Sequence, residues 1–217
     1  MMASSRSIAP ALIRAAGAGE LAPDIALMRL IMETRSAAEL EKLLDGAIAR
    51  TVQGDPAGMR LREVARLFRL NPASWNVVRK TAAVVPHDLP REEPRKSVAR
   101  LAAAFDAAAR ISPEASVALY SLGDPERLGL ATGEIVAFMR AIGLIDARHR
   151  YLDLGCGIGR LAADLAPRVG SVVGIDIAPE MLRLARERTS GLANVEIRLG
   201  SGLDLSGLAD GAFDCVV

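Results

Sequence analysis

Tyr151-Leu152-Asp153-Leu154-Gly155-Cys156-Gly157-Ile158-Gly159-Arg160 decides how this chain is read. An apolar strand carrying one acid runs into three glycines spaced two apart. Glycine is required where a backbone turns sharply or lets a ligand approach closer than a Cβ permits. The following residues carry Leu161, Ala162 and Leu165 at helical spacing, so the glycines lie between a strand and a helix N-terminus. Free N–H groups and a positive dipole suit that end to a carboxylate or phosphate. A second apolar run, 171–176, ends in Asp176, twenty-one positions after Gly155, where nucleoside-binding βαβ units place the carboxylate that grips ribose hydroxyls. The glycines and Asp176 therefore read as one site.

The spacing separates nucleosides. A dinucleotide fingerprint, G-x-G-x-x-G, needs its third glycine at position 160, where this chain has Arg160; the glycine falls at Gly159. G-x-G-x-G after an acid-bearing strand resembles the first motif of class I S-adenosylmethionine-dependent methyltransferases. The resemblance continues in order through VVGIDIAPEML (172–182), VEIRLGSGLDL (195–205) and DGAFDCVV (210–217) as second, third and fourth strands. It implies an α/β fold, a Rossmann-like doubly wound sheet, with S-adenosyl-L-methionine as cofactor.

The same resemblance implies residue roles. Asp153 would accept a hydrogen bond from the cofactor's α-amino group. The backbone of Gly155, Cys156, Gly157 and Gly159 would pass against the cofactor, its N–H groups helping to hold the carboxylate. Asp176 would take both ribose hydroxyls and Ile177 would lie along the adenine face. As ordinary structure, Asp153 is a strand-end acid and Asp176 a helix cap. Where many family members place an acid to receive the adenine amino group, this chain has Ser201 between Gly200 and Gly202. A neutral hydroxyl there offers about half the strength of a charge-assisted bond. Asp204 is the alternative, or a solvated loop acid. Tyr120, on the helices ahead of the glycine motif, is the candidate aromatic reaching the cofactor, or a half-buried packing residue.

Four strands are expected, against seven in the resembled fold, and the last, 213–217, would leave an apolar parallel edge open. On this reading the chain is the N-terminal part of a longer methyltransferase, lacking much of the acceptor site and itself inactive. Asp and Glu (26) nearly balance Lys and Arg (27), so nothing argues for nucleic acid. No apolar run approaches the ~18 residues needed to span a bilayer. Two cysteines, Cys156 and Cys215, cannot staple a secreted scaffold and fit reduced thiols in the cytoplasm. Only His87 and His149 are available to a zinc site, and none lies in the Cys156 motif to activate a thiol.

Upstream, the sequence is helical. Residues 1–19 have Arg6, Arg14 and serines without an acid, shared by organellar transit segments and unstructured tails, and the latter is the expectation. Helices follow after Asp24, after the capping box Ser36-Ala37-Ala38-Glu39, over 59–70 and from Asn71-Pro72, the last carrying Trp75, Val78 and Ala82. Their methionines and Trp75 read as core. The division expected is an α-helical domain 1–85, a Pro-rich linker 86–96 whose three prolines interrupt helix, and a cofactor-binding domain 97–217. That domain opens with helices at 98–105, after Ser112-Pro113 and after Asp124-Pro125, the last with Leu128, Ile135, Met139 and Ile142 on its apolar stripe.

The implied chemistry is attack by an acceptor nucleophile on a sulfonium methyl, which needs alignment and desolvation more than a covalent enzyme intermediate. No residue is singled out as a general base. The acceptor is read as a small molecule without further identity. Two other classes are a non-catalytic methyltransferase-like binding module, which the absent acid at Ser201 favours, and a nicotinamide-dependent oxidoreductase, which Arg160 argues against.

Overall fold

A computed structural model of the chain describes residues 8–86, 88 and 91–217. Arg6, and His87 and Pro90 of the expected linker, lie outside the described residues. The chain forms two compact units, residues 1–80 with 118–123, and residues 81–117 with 124–217.

The first unit is helical: α1 Ala9–Ala18, α2 Pro23–Glu33, α3 Ala37–Ile48, α4 Pro56–Leu70 and the start of α5 Ser74–Val84. Each start has a local cause. Pro23 and Pro56 occupy first-turn positions, where the missing N–H costs nothing, and the Asp55 carboxylate accepts from Ala57 N–H at 3.1 Å. Ser36 Oγ accepts from Glu39 N–H at 3.1 Å; the Glu39 carboxylate in return takes Arg35 N–H at 2.7 Å, one residue earlier than a capping box prescribes. Leu27, Leu30, Ile31, Leu40, Leu44, Val64 and Phe68 make the core, with Trp75, Met28 and Met32 packed against it.

Two expectations are corrected in this unit. Residues 9–18 are a helix that buries Leu12 and Ala16, not an unstructured tail: its small, apolar face packs on α4. Asn71 does not open a helix. It ends α4, donating its N–H to the Leu67 and Phe68 carbonyls with φ −137°, because a residue preceding proline avoids helical dihedrals; α5 starts three residues later.

The second unit contains α6 Pro94–Ile111, α7 Pro113–Val117, α8 Pro125–Ala141, β1 Arg150–Leu154, α9 Arg160–Leu165, β2 Ser171–Asp176, α10 Pro179–Thr189, β3 Val195–Leu199 and β4 Cys215–Val216. Pro94 stands at the first turn of α6, so residues 94–96 are helical rather than linker. Asp124 caps α8 through Glu126 N–H at 2.9 Å. Its buried stripe is Leu128, Val136 and Met139; Ile135 and Ile142 are exposed instead. All strand pairs are parallel and the order is β3-β2-β1-β4, as in a Rossmann-like α/β fold. Val136 and Met139 of α8, Tyr151, Val172 and Leu165 fill the space on the sheet. Strand order reverses at β1, between β2 and β4, and sheets of this kind bind ligands at the carboxyl ends flanking that point. No helix among the described residues is long and apolar enough to cross a membrane.

Candidate cofactor site

At the carboxyl end of β1 the three glycines take φ of +81° (Gly155), +52° (Gly157) and +69° (Gly159), values that side chains with a Cβ rarely adopt. A Cβ at Gly157 would stand 2.7 Å from Val117 Cγ1, and one at Gly159 3.0 Å from Ala185 Cβ. Gly159 is thus required for packing the turn on α10, while Gly155 is required for its dihedral alone. The amides are already engaged. Gly155 and Cys156 N–H both donate to the Ile175 carbonyl (2.8 and 3.0 Å), Gly157 N–H to Asp176 Oδ2 (2.8 Å) and Gly159 N–H to the Cys156 carbonyl (2.9 Å). The first three hold the turn to β2 and the fourth closes the turn on itself, so none of the four stands open for a ligand carboxylate.

Asp176 joins three elements. Its Oδ2 accepts from Gly157 and its Oδ1 from Ala178 N–H at 2.9 Å, immediately before α10. The helix-cap and site readings of this residue therefore hold together. An ionised carboxylate has about four acceptor positions, so two remain after both backbone donors are served.

A cavity of about 600 Å³ opens beside this acid. Gly155, Gly157, Asp176, Ile177 and Gly202 line it, as the sequence leads one to expect. Cys156, Gly159, Asp153, Ser201 and Tyr120 are not among its lining residues. Asp153 is buried, with 5% exposure, and its Oδ2 has no hydrogen-bond partner. Burial raises its pKa to about 6 against the opposing pull of the Ala162 backbone and Arg160. Cys156 is buried, and burial pushes its thiol well above the ordinary range, which disfavours the thiolate. Ser201 Oγ receives Leu203 and Asp204 N–H (both 3.2 Å) and lies 3.2 Å from Asp204 Oδ1; Asp204 itself lines the cavity. Hydrogen bonds from Ser206, then from Ser201, hold the Asp204 carboxyl below the usual range. Thus Asp204, not Ser201, presents the loop's acid to the site. Tyr120 sits in a short 3-10 turn, Leu119–Ser121, that clusters with the first unit.

Sequence reasoning missed three residues. Phe105 of α6 and Val117 at the end of α7 line the cavity, and Gly174 in β2 leaves room for Cys156, since a Cβ there would fall 3.0 Å from its sulfur. A glycine inside the apolar run 171–176 is a signal present in the sequence; the wall supplied by α6 is not, because it depends on tertiary placement. Among the described residues no cluster suited to a metal ion occurs.

Residues 152–217 match the family profile described as "Methyltransferase domain". This segment is similar to methyltransferase domains. The chain is similar to an uncharacterized 37.1 kDa protein in transposon TN4556 of Streptomyces fradiae, at 42% identity over 94 residues, 40% of this chain and 27% of that protein. The chain is also similar to the uncharacterized methyltransferase YcgJ of Bacillus subtilis (32% identity, 40% of this chain, 34% of that protein). A third relative is the ubiquinone biosynthesis O-methyltransferase of Xanthomonas euvesicatoria pv. vesicatoria (41% identity, 32% of this chain, 30% of that protein). The chain thus spans about a third or less of the length of these relatives.

Proposed function

We propose that the cavity beside Asp176 binds S-adenosyl-L-methionine and that the chain belongs to an enzyme methylating a small-molecule acceptor. The observation that carries this reading is Asp176 itself: an acid on the cavity wall, locked to the middle glycine of the turn, with two acceptor positions left for a vicinal diol. The fit of the other residues agrees. Gly155 and Gly157 keep the wall free of side chains, Ile177 offers an apolar face, and the charged groups lining the cavity are acids, Asp176 and Asp204, which suit a cationic ligand.

When bound, the cofactor would supply an electrophilic sulfonium methyl to an acceptor nucleophile. The protein's contribution is positional. Asp176 would hold the ribose and the side-chain-free β1–α9 turn would lie against the ligand, an ordering that lowers the entropic part of the barrier. The buried, unpartnered Asp153 Oδ2 stands under the turn as an acceptor for a cationic donor. Likeness to the Xanthomonas O-methyltransferase supports a small acceptor.

Calorimetric titration with S-adenosylmethionine and, separately, NAD tests the proposal. Saturable binding of the first and none of the second is expected. Binding of NAD alone would overturn it.

A further inference from the structure

The helix α10 begins without a side-chain cap from its own N-cap residue, Ala178. Two acids from elsewhere serve its first turn. Asp176 takes Ala178 N–H, and Asp106 Oδ1 of α6, 74 residues away in sequence, accepts from Glu180 N–H at 2.7 Å. A carboxylate at that end is favoured by the helix dipole as well as by the bond. The residue preceding Asp106 is Phe105, the one aromatic side chain lining the cavity. α6 and α7 lie close against the site: a Cβ on Gly202 would stand only 2.9 Å from Val98 Cγ1 of α6, and Ser116 Oγ of α7 lies 3.8 Å from Met181 Sδ.

We propose that the Asp106–Glu180 hydrogen bond clasps α6 against α10 so that Phe105 forms the aromatic wall for the base of a bound nucleoside, making Asp106 a positioning residue for Phe105. The proposal rests on the cofactor reading of this cavity. Phe105 and Ile177 both line the cavity, and a flat aromatic base gains from contact with an aromatic face whose position is fixed beforehand. Without the clasp, the N-terminal turn of α10 loses a cap and α6 loses its polar tether, while the helix's apolar contacts remain.

The test is a calorimetric titration of S-adenosylhomocysteine into the full chain and its variants. Phe105→Ala should weaken binding about tenfold or more, and Asp106→Ala by several-fold to about tenfold. Asp106→Asn retains an oxygen acceptor for Glu180 N–H and should restore most of the affinity. The double variant Phe105→Ala with Asp106→Ala should bind no worse than Phe105→Ala alone, because one residue acts through the other. Unchanged affinity in Asp106→Ala, failure of Asp106→Asn to rescue, or additive losses in the double variant would each overturn the clasp while leaving the cofactor reading intact. Absence of binding by the unmutated chain would instead overturn the cofactor reading, and the clasp with it.

Discussion

Asp176 Oδ2 accepts the N–H of Gly157 at 2.8 Å, so the acid closing β2 and the middle glycine of the β1–α9 turn are one mechanical unit. The turn cannot shift without moving the carboxylate, and the carboxylate cannot be lost without freeing a turn amide. Asp176→Ala should therefore weaken S-adenosylmethionine binding by about 1.5–3 kcal/mol, the range for hydrogen bonds to a charged group. Calorimetry reads this directly. An affinity equal to that of the unmutated chain would remove Asp176 from the site.

Gly157→Val places a branched side chain at φ +52°, with its Cβ 2.7 Å from Val117 Cγ1. Neither the dihedral nor the contact can be relieved without displacing the turn. Cofactor binding should be lost while circular dichroism still reports the helices. A variant that binds normally would show the turn to be tolerant of side chains and unconnected with the ligand.

Asp153 gives a pH signature. Its pKa is raised from 3.8 to about 6 by burial, so the folded state holds a proton that the unfolded state has released between those values. Its contribution to stability is full below about pH 4 and is lost as pH rises through 6. The penalty above that amounts to about 3 kcal/mol. Asp153→Asn, which cannot ionise, should leave stability unchanged at pH 4 and raise it at pH 8. Denaturant unfolding at both values decides. A variant less stable than the parent at pH 8 would mean that Arg160 and the Ala162 backbone outweigh desolvation.

Part of the cavity lining was legible because its determinants are local. Gly155, Gly157 and Asp176 follow from dihedral and charge requirements that a short stretch of sequence states by itself, and the order of the apolar runs implied the parallel βαβ layout that the structure shows. Helix starts at Pro23 and Pro125 were within a residue or two for the same reason, while the helix expected from residue 59 starts three residues earlier, at Pro56. What was not legible depends on tertiary placement. Tyr120 was the candidate by family resemblance, with a packing role as the alternative, yet the aromatic on the cavity wall is Phe105, put there by the packing of α6. Ser201 was assigned the ligand's amino group, but its hydroxyl is taken up in the loop around Asp204. Residues 9–18 lacked the charged pattern of an amphipathic helix because their small, apolar face lies on α4. The amides of Gly155, Cys156 and Gly157 seemed open until strand register brought the Ile175 carbonyl and the Asp176 carboxylate to them.

The most direct test of the central claim is a crystal structure of the chain grown with S-adenosylhomocysteine. The account predicts ligand density in the cavity lined by Gly155, Asp176 and Ile177, with both ribose hydroxyls within hydrogen-bonding distance of the Asp176 carboxylate and the Gly157 N–H bond to that carboxylate preserved. Ligand bound elsewhere on the chain, or seated in this cavity with its ribose turned away from Asp176, would contradict it.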